Sequence, residues 1–357
     1  MDPVGRYLKT RIDQGRMPGA VGAIAGHEGI AAEWVLGHAA LEPLPIETDI
    51  DTLYDLASFT KPLCTGLALA TLEEQGRCSL YAPLLEWLPE LDGSAYAKAS
   101  LLRVAAHTAG FSAWRPLYLS ATDAAGFLAA IAAEPAGPAG ETVYSDLGYL
   151  CLGLAIERIT GRPLDIWFEE SVASVLGLKN LGFATRVDCS TAAPTERGNG
   201  YERALAGDAG RGYAWRESVI QGEVHDGNAY ALGGVAGHSG LFGALRDVLA
   251  LASELLRPRV LTLGARGQAR LFTQALPGSG RTVGFVQAGT SDAARGALGD
   301  EAPGHVGFSG PSLWLEPDRG WAYALLTNRV HPTVDGRDFQ PVRLGFHRAA
   351  HARTEKT

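Results

Sequence analysis

The order of strand-like and helix-like segments constrains the fold of this 357-residue chain more than any other feature. Near the start, AVGAIAG and IAAEWVLG are apolar stretches separated by a short turn, which predicts an antiparallel hairpin. Near the end, PGHVGFSGPSLWLEP and GWAYALLTN predict strands joined in the same way. The chain between about 80 and 200 is instead rich in Ala and Leu and dense in helix signals. Strands at both ends most simply join one antiparallel sheet, so we expect an α/β (α+β) fold with an inserted helical lobe.

This order predicts two lobes rather than two consecutive halves, although the length alone suggests roughly two domains. We expect residues 1–75 and 215–357 to form one α/β lobe, in which helices flank the antiparallel sheet. Residues 76–214 would form the mostly helical lobe. Within these lobes, the Gly/Ala/Arg-rich stretch 201–215 is predicted to be a surface loop, and RTVGFVQAG a further strand.

Composition argues against several classes of function. The 31 basic and 39 acidic residues give a net charge of −8, which does not favour a nucleic-acid partner. No run of about 18 apolar residues is present, and charges are scattered where a signal peptide needs an apolar stretch, so we expect no membrane contact and a cytoplasmic location. Four cysteines without a C-x-x-C pair favour reduced thiols. No nucleotide-binding motif is found, so we expect no cofactor, and the oligomeric state stays open.

Ser58 and Lys61 are the first candidates for chemistry. They stand three residues apart at the start of a helix predicted over 58–76, so their side chains share one face. A serine hydroxyl needs a neighbouring base, and a lysine can serve where burial or another cation lowers its pKa. The chain has only five lysines, and this one lies in an apolar stretch. The alternative is a helix-capping serine beside a solvated lysine, because S-x-x-K alone is a weak pattern.

Two further motifs carry candidate residues. Tyr144-Ser145-Asp146 precedes a helix predicted to end near Gly161, where the tyrosine could relay a proton and Asp146 could hydrogen-bond a lysine. A half-buried tyrosine with a helix-capping aspartate is the alternative. His305 and Gly307 share one face of a predicted strand, and the glycine would let a substrate approach the backbone. A packed histidine is the alternative there.

The three motifs together resemble those of the penicillin-recognising serine hydrolases. S-x-x-K is followed after about 85 residues by Y-x-D and after about 160 more by H-x-G, and the similarity extends over roughly 17–330. Segments such as TLYDLASFTKPL and VHDGNAYALGGVAGHSGLFG are similar to family segments. That family includes class C-type β-lactamases, DD-peptidases and family VIII-like esterases. The resemblance implies a β-lactamase/transpeptidase-like fold with no cofactor, and a small-molecule ester, amide or peptide substrate bound between the lobes.

The resemblance also implies a role for each motif residue. Ser58 would be the acylated nucleophile and Lys61 its base, while Tyr144 would assist proton transfer. Asp146 would orient Lys61 where many members have Asn, and His305 would stand in place of the lysine of the third motif. The backbone N–H groups of Ser58 and Phe308 would form the oxyanion hole, and Gly307 would admit the substrate.

Two departures from the family pattern bear on the substrate. His305 replaces a lysine and Val306 lacks the hydroxyl that would bind a substrate carboxylate, while a histidine is largely neutral at pH 7. The charge of Asp146 should favour protonated Lys61. We therefore expect a serine hydrolase acting on esters or amides that lack this carboxylate. The alternatives are a D-amino-acid peptidase, a weak β-lactamase or, from another class, a non-catalytic binding or sensing module.

Other polar and aromatic residues are candidates for a substrate cleft or a metal site. Trp114 and Tyr118 follow HTAGF and are candidates for lining a substrate cleft, with core packing as the alternative. His225, Asp226 and His238 match no familiar zinc spacing, so we expect no metal.

Overall fold

The computed structural model describes residues 1–138 and 140–355. Its main sheet has seven strands in the order β3-β2-β1-β10-β9-β8-β7, and each neighbouring pair is antiparallel. A small second sheet has the order β4-β6-β5. The strands are β1 (Gly19–Gly26), β2 (Gly29–Ala40), β3 (Ile46–Glu47), β4 (Tyr54–Asp55), β5 (Leu181–Phe183), β6 (Leu241–Gly243), β7 (Val286–Gln287), β8 (Pro303–Val306), β9 (Ser312–Glu316) and β10 (Trp321–Leu326).

Helices cover both faces of the main sheet. A 3-10 turn (Ala57–Phe59) and a π-helical segment (Lys61–Gly66) lead into the second helix. The α-helices are α1 (Pro3–Asp13), α2 (Leu67–Glu74), α3 (Leu101–Ala105), α4 (Ala124–Ala133), α5 (Asp146–Thr160), α6 (Leu164–Phe168), α7 (Ser174–Leu176), α8 (Gly200–Ala206), α9 (Gly227–Ala231), α10 (Leu245–Leu256), α11 (Ala265–Phe272) and α12 (Gln340–Thr354).

The expected antiparallel sheet built from both ends of the chain is confirmed. β1 pairs with β2 on one side and with β10 on the other, so Val21 lies opposite both Val35 and Leu326. The division into lobes 1–75 with 215–357 and 76–214 stays a prediction, and residues 139, 356 and 357 of it lie outside the described part of the chain.

The central strand β1 is buried on both faces. Val21 and Ala23 belong to the larger core, which also contains residues of α2, α5 and α10. Ala20 and Ile24 point the other way, into a core shared with α1 and α12 that includes Phe346. Two-sided burial explains why this strand is a continuous apolar run rather than an alternating one.

Helix α5 follows its sequence signals closely. Ser145 is the N-cap, and its Oγ accepts a hydrogen bond from the backbone N–H of Gly148 at 3.1 Å. The helix ends at Thr160, and Gly161 adopts the left-handed conformation with φ of 69°. The position of this N-terminus matters because Asp146 is the first residue of the helix.

Two local predictions are wrong. The strand predicted over 281–289 is reduced to β7, because a turn closed by the Phe285 N–H and the Thr282 hydroxyl interrupts it. The loop predicted over 201–215 instead contains α8 and a 3-10 turn (Gly207–Gly210). Tertiary contacts stabilise this polar segment: the buried Glu202 carboxylate accepts the Gly227 N–H at 2.8 Å.

No helix among the described residues is long and apolar enough to span a membrane. The expected cytoplasmic location stays a prediction.

Candidate active site

Ser58 lies in a strained turn that follows β4. The preceding residue, Ala57, has φ of 47°, a left-handed conformation that costs a residue with a side chain about 1–3 kcal/mol. Buried Asp55 holds the turn: its Oδ1 accepts the Ala57 N–H at 2.8 Å and its Oδ2 accepts the His225 N–H at 2.7 Å. Backbone strain of this kind concentrates at functional sites, because surrounding contacts are needed to maintain it.

The helical segment after Ser58 is tied to residues 237–241. The Thr60 hydroxyl accepts the Leu241 N–H at 3.1 Å, and the Thr65 hydroxyl donates to the Gly237 carbonyl at 2.6 Å. These bonds bring the His238 carbonyl over Lys61, which donates to it at 3.1 Å. Thus one fixed frame positions both the serine and the lysine.

Lys61 is completely buried, and its Nζ lies near Ser58 Oγ at 3.0 Å, the His238 carbonyl at 3.1 Å and Asp146 Oδ1 at 2.6 Å. The Tyr144 side chain is a further hydrogen-bonding neighbour of this lysine. A carbonyl and a carboxylate can only accept, so a deprotonated lysine would donate both of its N–H groups to them. Its lone pair would then face the Ser58 hydroxyl, which is the geometry of a general base acting on a nucleophile.

The resting state of Lys61 is the protonated one. Burial has the largest effect and by itself lowers the lysine pKa, but the charge of Asp146, followed by the contribution of Tyr144, outweighs it. The net result is a pKa above the ordinary lysine value. This direction agrees with the effect expected from an aspartate beside the lysine.

Tyr144 lies beside the ammonium group and is held by a histidine. The Lys61 Nζ is 4.8 Å from the centre of the Tyr144 ring, and the His107 ring is 4.7 Å from it. His107 Nδ1 accepts the Ser145 N–H at 3.0 Å, so this nitrogen carries no proton. Burial, followed by the charges of Arg281 and Lys61, keeps the His107 pKa well below its usual value.

His305 reaches the same corner from β8, as predicted, but carries no charge. Its ring centre is 5.9 Å from that of Tyr144, and its Nδ1 lies 2.8 Å from the Val306 carbonyl, to which it donates. Burial, and then the charges of Lys61 and Arg281, lower the His305 pKa well below its usual value. A neutral imidazole therefore occupies the position that the resemblance assigns to a lysine.

The backbone around Phe308 is fixed from two directions. The Ser309 hydroxyl donates to the Asp55 carbonyl at 2.6 Å, which ties this loop to the strained turn before the nucleophile. Arg343 of α12 is buried and donates to the Gly307 carbonyl at 2.5 Å and to the carbonyl three residues further on at 3.2 Å. The loop carrying the predicted oxyanion-hole residue thus has little freedom to move.

A cavity of about 530 Å³ brings most of the predicted site together. Lys61 lies beneath Ser58, hydrogen-bonded to it. The predicted residues that line the cavity are Ser58, Trp114, Tyr144, Asp146, His305, Gly307 and Phe308.

Tyr118, predicted to line the cleft, does not line the cavity. It is only 3% exposed and packs against Tyr213 and Trp215, with ring centres 5.2 and 5.8 Å away. Its backbone N–H points to Asn228 Oδ1 at 3.4 Å, so the turn carrying it folds toward α9. Tyr118 is therefore a packed core residue, which was the alternative to a residue lining the cleft.

The histidines considered for a metal site form two separate pairs. His225 Nε2 lies 3.2 Å from Glu196, and His238 Nε2 lies 2.8 Å from Asp226. Within the described ranges, no group of three His, Cys, Asp or Glu side chains is arranged to hold a metal ion. The His238 pair instead lies next to the carbonyl that receives the Lys61 hydrogen bond.

Sequence reasoning missed several residues of this site, namely Asp55, His107, Arg281 and Arg343. His107 belongs to the HTAGF stretch, but no spacing rule connects it to Ser145. Arg281 and Arg343 approach the cavity from distant parts of the chain, and only the folded structure brings them there.

The sheet, its covering helices and the serine–lysine–tyrosine arrangement define a class of protein: serine hydrolases with the β-lactamase/transpeptidase-like fold. The chain belongs to the Beta-lactamase family, whose model matches residues 4–344.

Individual relatives agree with this assignment. A protein of Salmonella paratyphi A, provisionally named D-alanyl-D-alanine carboxypeptidase, is 29% identical over 339 residues, covering 83% of this chain and 74% of the relative. The structure of EstCE1, described as a hydrolase with promiscuous acyltransferase activity, superposes with a TM-score of 0.75 at 21% identity, covering 98% of this chain and 97% of that one. A class C β-lactamase from Rhodobacter sphaeroides superposes with a TM-score of 0.72 at 18% identity, covering 98% and 99% of the two chains.

Proposed function

We propose that this protein hydrolyses small-molecule esters or amides through an acyl-enzyme formed on Ser58. The observation that carries the proposal is that the Lys61 Nζ is buried 3.0 Å from Ser58 Oγ, while the His238 carbonyl and the Asp146 carboxylate beside it can only accept hydrogen bonds. A binding protein would not need a basic group directed at a serine hydroxyl. The proposed active site opens into a cavity large enough for a small molecule.

In the acylation step, Ser58 Oγ attacks the substrate carbonyl carbon as its proton moves to the deprotonated Lys61 amine. The negative charge on the carbonyl oxygen would be stabilised by the backbone N–H groups of Ser58 and Phe308. The proton then passes from Lys61 through the Tyr144 hydroxyl to the leaving group as the bond from carbon to the leaving group breaks. The product is an ester between the acyl group and Ser58.

In the deacylation step, a water molecule attacks the acyl-enzyme carbonyl, and the same residues act in reverse. Tyr144 and Lys61 accept the proton from water, and a proton returns to Ser58 Oγ as the carboxylic acid leaves. Asp146 keeps Lys61 oriented throughout, at a contact of 2.6 Å.

A D-amino-acid peptidase is the second candidate, because the curated relative at 29% identity is named as a D-alanyl-D-alanine carboxypeptidase. The neutral His305 and the apolar Val306 favour the ester or amide proposal over it. Weak β-lactamase activity is the third candidate. Like the peptidase activity, it would require a group that binds the carboxylate of the substrate.

A substrate panel tests the proposal. p-Nitrophenyl acetate and butyrate, an acyl-D-Ala-D-Ala peptide and nitrocefin would each be incubated with the wild type and with Ser58→Ala. We expect turnover of the p-nitrophenyl esters by the wild type and its loss in Ser58→Ala. Turnover that survives in Ser58→Ala would refute the nucleophile assignment. A wild type that turns over none of the four compounds and is not labelled by a fluorophosphonate would favour the non-catalytic binding or sensing module.

A further inference from the structure

A second pocket, of about 350 Å³, lies where the loop between α1 and β1 meets the loop between β10 and α12. Among the described residues, Arg329 is the one that this pocket shares with the active-site cavity. Its described lining contains three arginines and one carboxylate, namely Arg16, Arg329, Arg337 and Asp335, and we call it the arginine pocket. The local excess of positive charge contrasts with the net charge of −8 of the whole chain and favours an anion as ligand.

Reciprocal hydrogen bonds join the two loops that form the arginine pocket. Arg16, in the loop after α1, donates to the Asp338 carbonyl. Arg337, in the loop before α12, donates to the Gly15 carbonyl at 2.6 Å and pairs with Asp335. The fold itself therefore holds these cations close together. A site whose cations are already placed loses little free energy to the ordering of side chains when an anion binds.

Arg16 and Arg329 are less well satisfied than Arg337. Within the described part of the chain neither forms an ion pair, and each has a buried Nε–H group without an acceptor. Exposed arginines elsewhere, such as Arg158, do pair with a glutamate. Burial lowers the Arg329 pKa, the charge of Asp335 opposes this effect, and the charge of Arg16 adds to it. An anion that contacts both guanidinium groups would relieve their repulsion and supply the missing acceptors.

Arg329 also connects the arginine pocket to the active site. Its guanidinium carbon lies 5.0 Å from the centre of the Phe308 ring and 5.6 Å from that of Phe339. Phe308 carries one of the two backbone N–H groups assigned above to the oxyanion hole. A ligand that holds this guanidinium in place would therefore restrict the loop around Phe308.

We propose that the arginine pocket binds a small phosphate monoester, which acts on the active site through Arg329. A phosphate group carries a charge of about −2 and three acceptor oxygens, which matches the two guanidinium groups that lack a counter-ion. The apolar part of the ligand would contact the apolar residues of the lining, which are Ile12, Met17, Pro18 and Leu41. The ligand is an effector and not a substrate, because Ser58 does not line this pocket. The link to the oxyanion hole rests on the proposed function, whereas the binding does not.

Titration calorimetry with phenyl phosphate tests the binding. We expect Arg16→Gln and Arg329→Gln each to raise Kd about 10-fold or more, since each removes a charge-assisted hydrogen bond, and Arg16→Lys to raise it less. Arg186→Gln, at an exposed arginine outside the pocket, is the matched control and should leave Kd unchanged. Benzoate, which carries a single charge, should bind more weakly than phenyl phosphate. Thermal unfolding without ligand checks that each variant is folded.

Two further variants separate this pocket from the active-site cavity. Ser58→Ala and Arg281→Gln should bind phenyl phosphate as the wild type does, whether or not the wild type hydrolyses any ester. No binding at millimolar phenyl phosphate, an unchanged Kd in Arg16→Gln, a Kd that rises in Arg281→Gln, or equal binding of benzoate would overturn the site.

Hydrogen–deuterium exchange tests the link to the active site. We expect saturating phenyl phosphate to slow amide exchange in the peptide that contains Phe308 in the wild type, and to have no such effect in Arg16→Gln. Unchanged exchange in the saturated wild type would overturn the effector role.

Discussion

Asp146 Oδ1 lies 2.6 Å from the Nζ of Lys61, a lysine with no exposed surface. The contact makes the buried charge tolerable, because a lone ammonium at this depth would lose its proton. It also works against catalysis, since the proposed base must be deprotonated before it can activate Ser58. The aspartate therefore sets the pH range in which this site can work.

The pH dependence of acylation follows from that relationship. Asp146 raises the Lys61 pKa, so the base form grows as pH rises and kcat/KM should increase through the alkaline range. Asp146→Asn removes the negative charge, lowers the Lys61 pKa and should move the rising limb about one to three pH units toward acid. The pH profile of p-nitrophenyl acetate hydrolysis measures this shift. Asp292→Asn, which removes an exposed carboxylate from the cavity rim, is the matched control and should leave the limb in place.

If the rising limb of the pH profile does not shift in Asp146→Asn, Lys61 is not the titrating base.

Arg343 should act on the reaction by holding the loop around Phe308 in place. Arg343→Met removes the hydrogen-bond donors to the Gly307 and Gly310 carbonyls, which frees the loop around Phe308. We expect a loss of about 2–4 kcal/mol in the free energy of unfolding, because buried acceptors lose their partner, together with a fall in kcat larger than the change in KM. Urea denaturation and steady-state kinetics measure the two effects.

Chemical rescue distinguishes a positioning role of Arg343 from general damage to the structure. Added methylguanidinium should restore part of kcat in Arg343→Ala, where the side-chain space is open. If an Arg343 variant keeps the wild-type kcat despite its lower stability, Arg343 does not position the loop around Phe308.

His107 is expected to position Tyr144 through its bond to the next residue. His107→Phe keeps the ring but leaves the buried Ser145 N–H without its acceptor, at a cost of about 1–3 kcal/mol. His107→Gln can supply an acceptor and should retain more activity. Thermal unfolding and p-nitrophenyl acetate turnover of both variants check this order, and equal behaviour of the two would argue that only ring packing matters.

Asp55 should be sensitive to the loss of a single acceptor oxygen. Asp55→Asn can keep one of the two backbone bonds, to Ala57 or to His225, but places an NH₂ group against the other N–H. We expect a loss of about 1–3 kcal/mol in stability and a lower kcat, because the strained Ala57 turn is no longer held. Asp188→Asn, at an exposed aspartate that accepts the Ser190 N–H, is the control and should change neither quantity appreciably.

The sequence predicted those parts of the molecule that depend on local pattern or on motif. The sheet made from both ends of the chain and the α5 boundaries follow from hydrophobic period and capping residues. The meeting of Ser58, Tyr144 and His305 at one cavity followed from the motifs. The supporting contacts could not be predicted, because Asp55, His107 and Arg343 act through backbone groups far away in the chain.

The errors at residues 201–215 and at Tyr118 have the same physical origin. The α8 segment looks like a loop by composition, yet buried Glu202 fastens it to α9 through a backbone bond. Tyr118 has the size of a cleft residue, yet its ring fills the space beside Tyr213 and Trp215. Tertiary packing overrides local preference at both positions.

The most direct test of the acyl-enzyme is its detection on one residue. The protein would be mixed with p-nitrophenyl acetate, quenched in acid within milliseconds to seconds, digested and analysed by mass spectrometry, with Ser58→Ala treated in parallel. We predict an acetyl group on the peptide that contains Ser58, mapped to that serine and absent from the variant. Turnover of the ester with no acetyl group on Ser58 at any time point, or an acetyl group on another residue that persists in Ser58→Ala, would contradict the account.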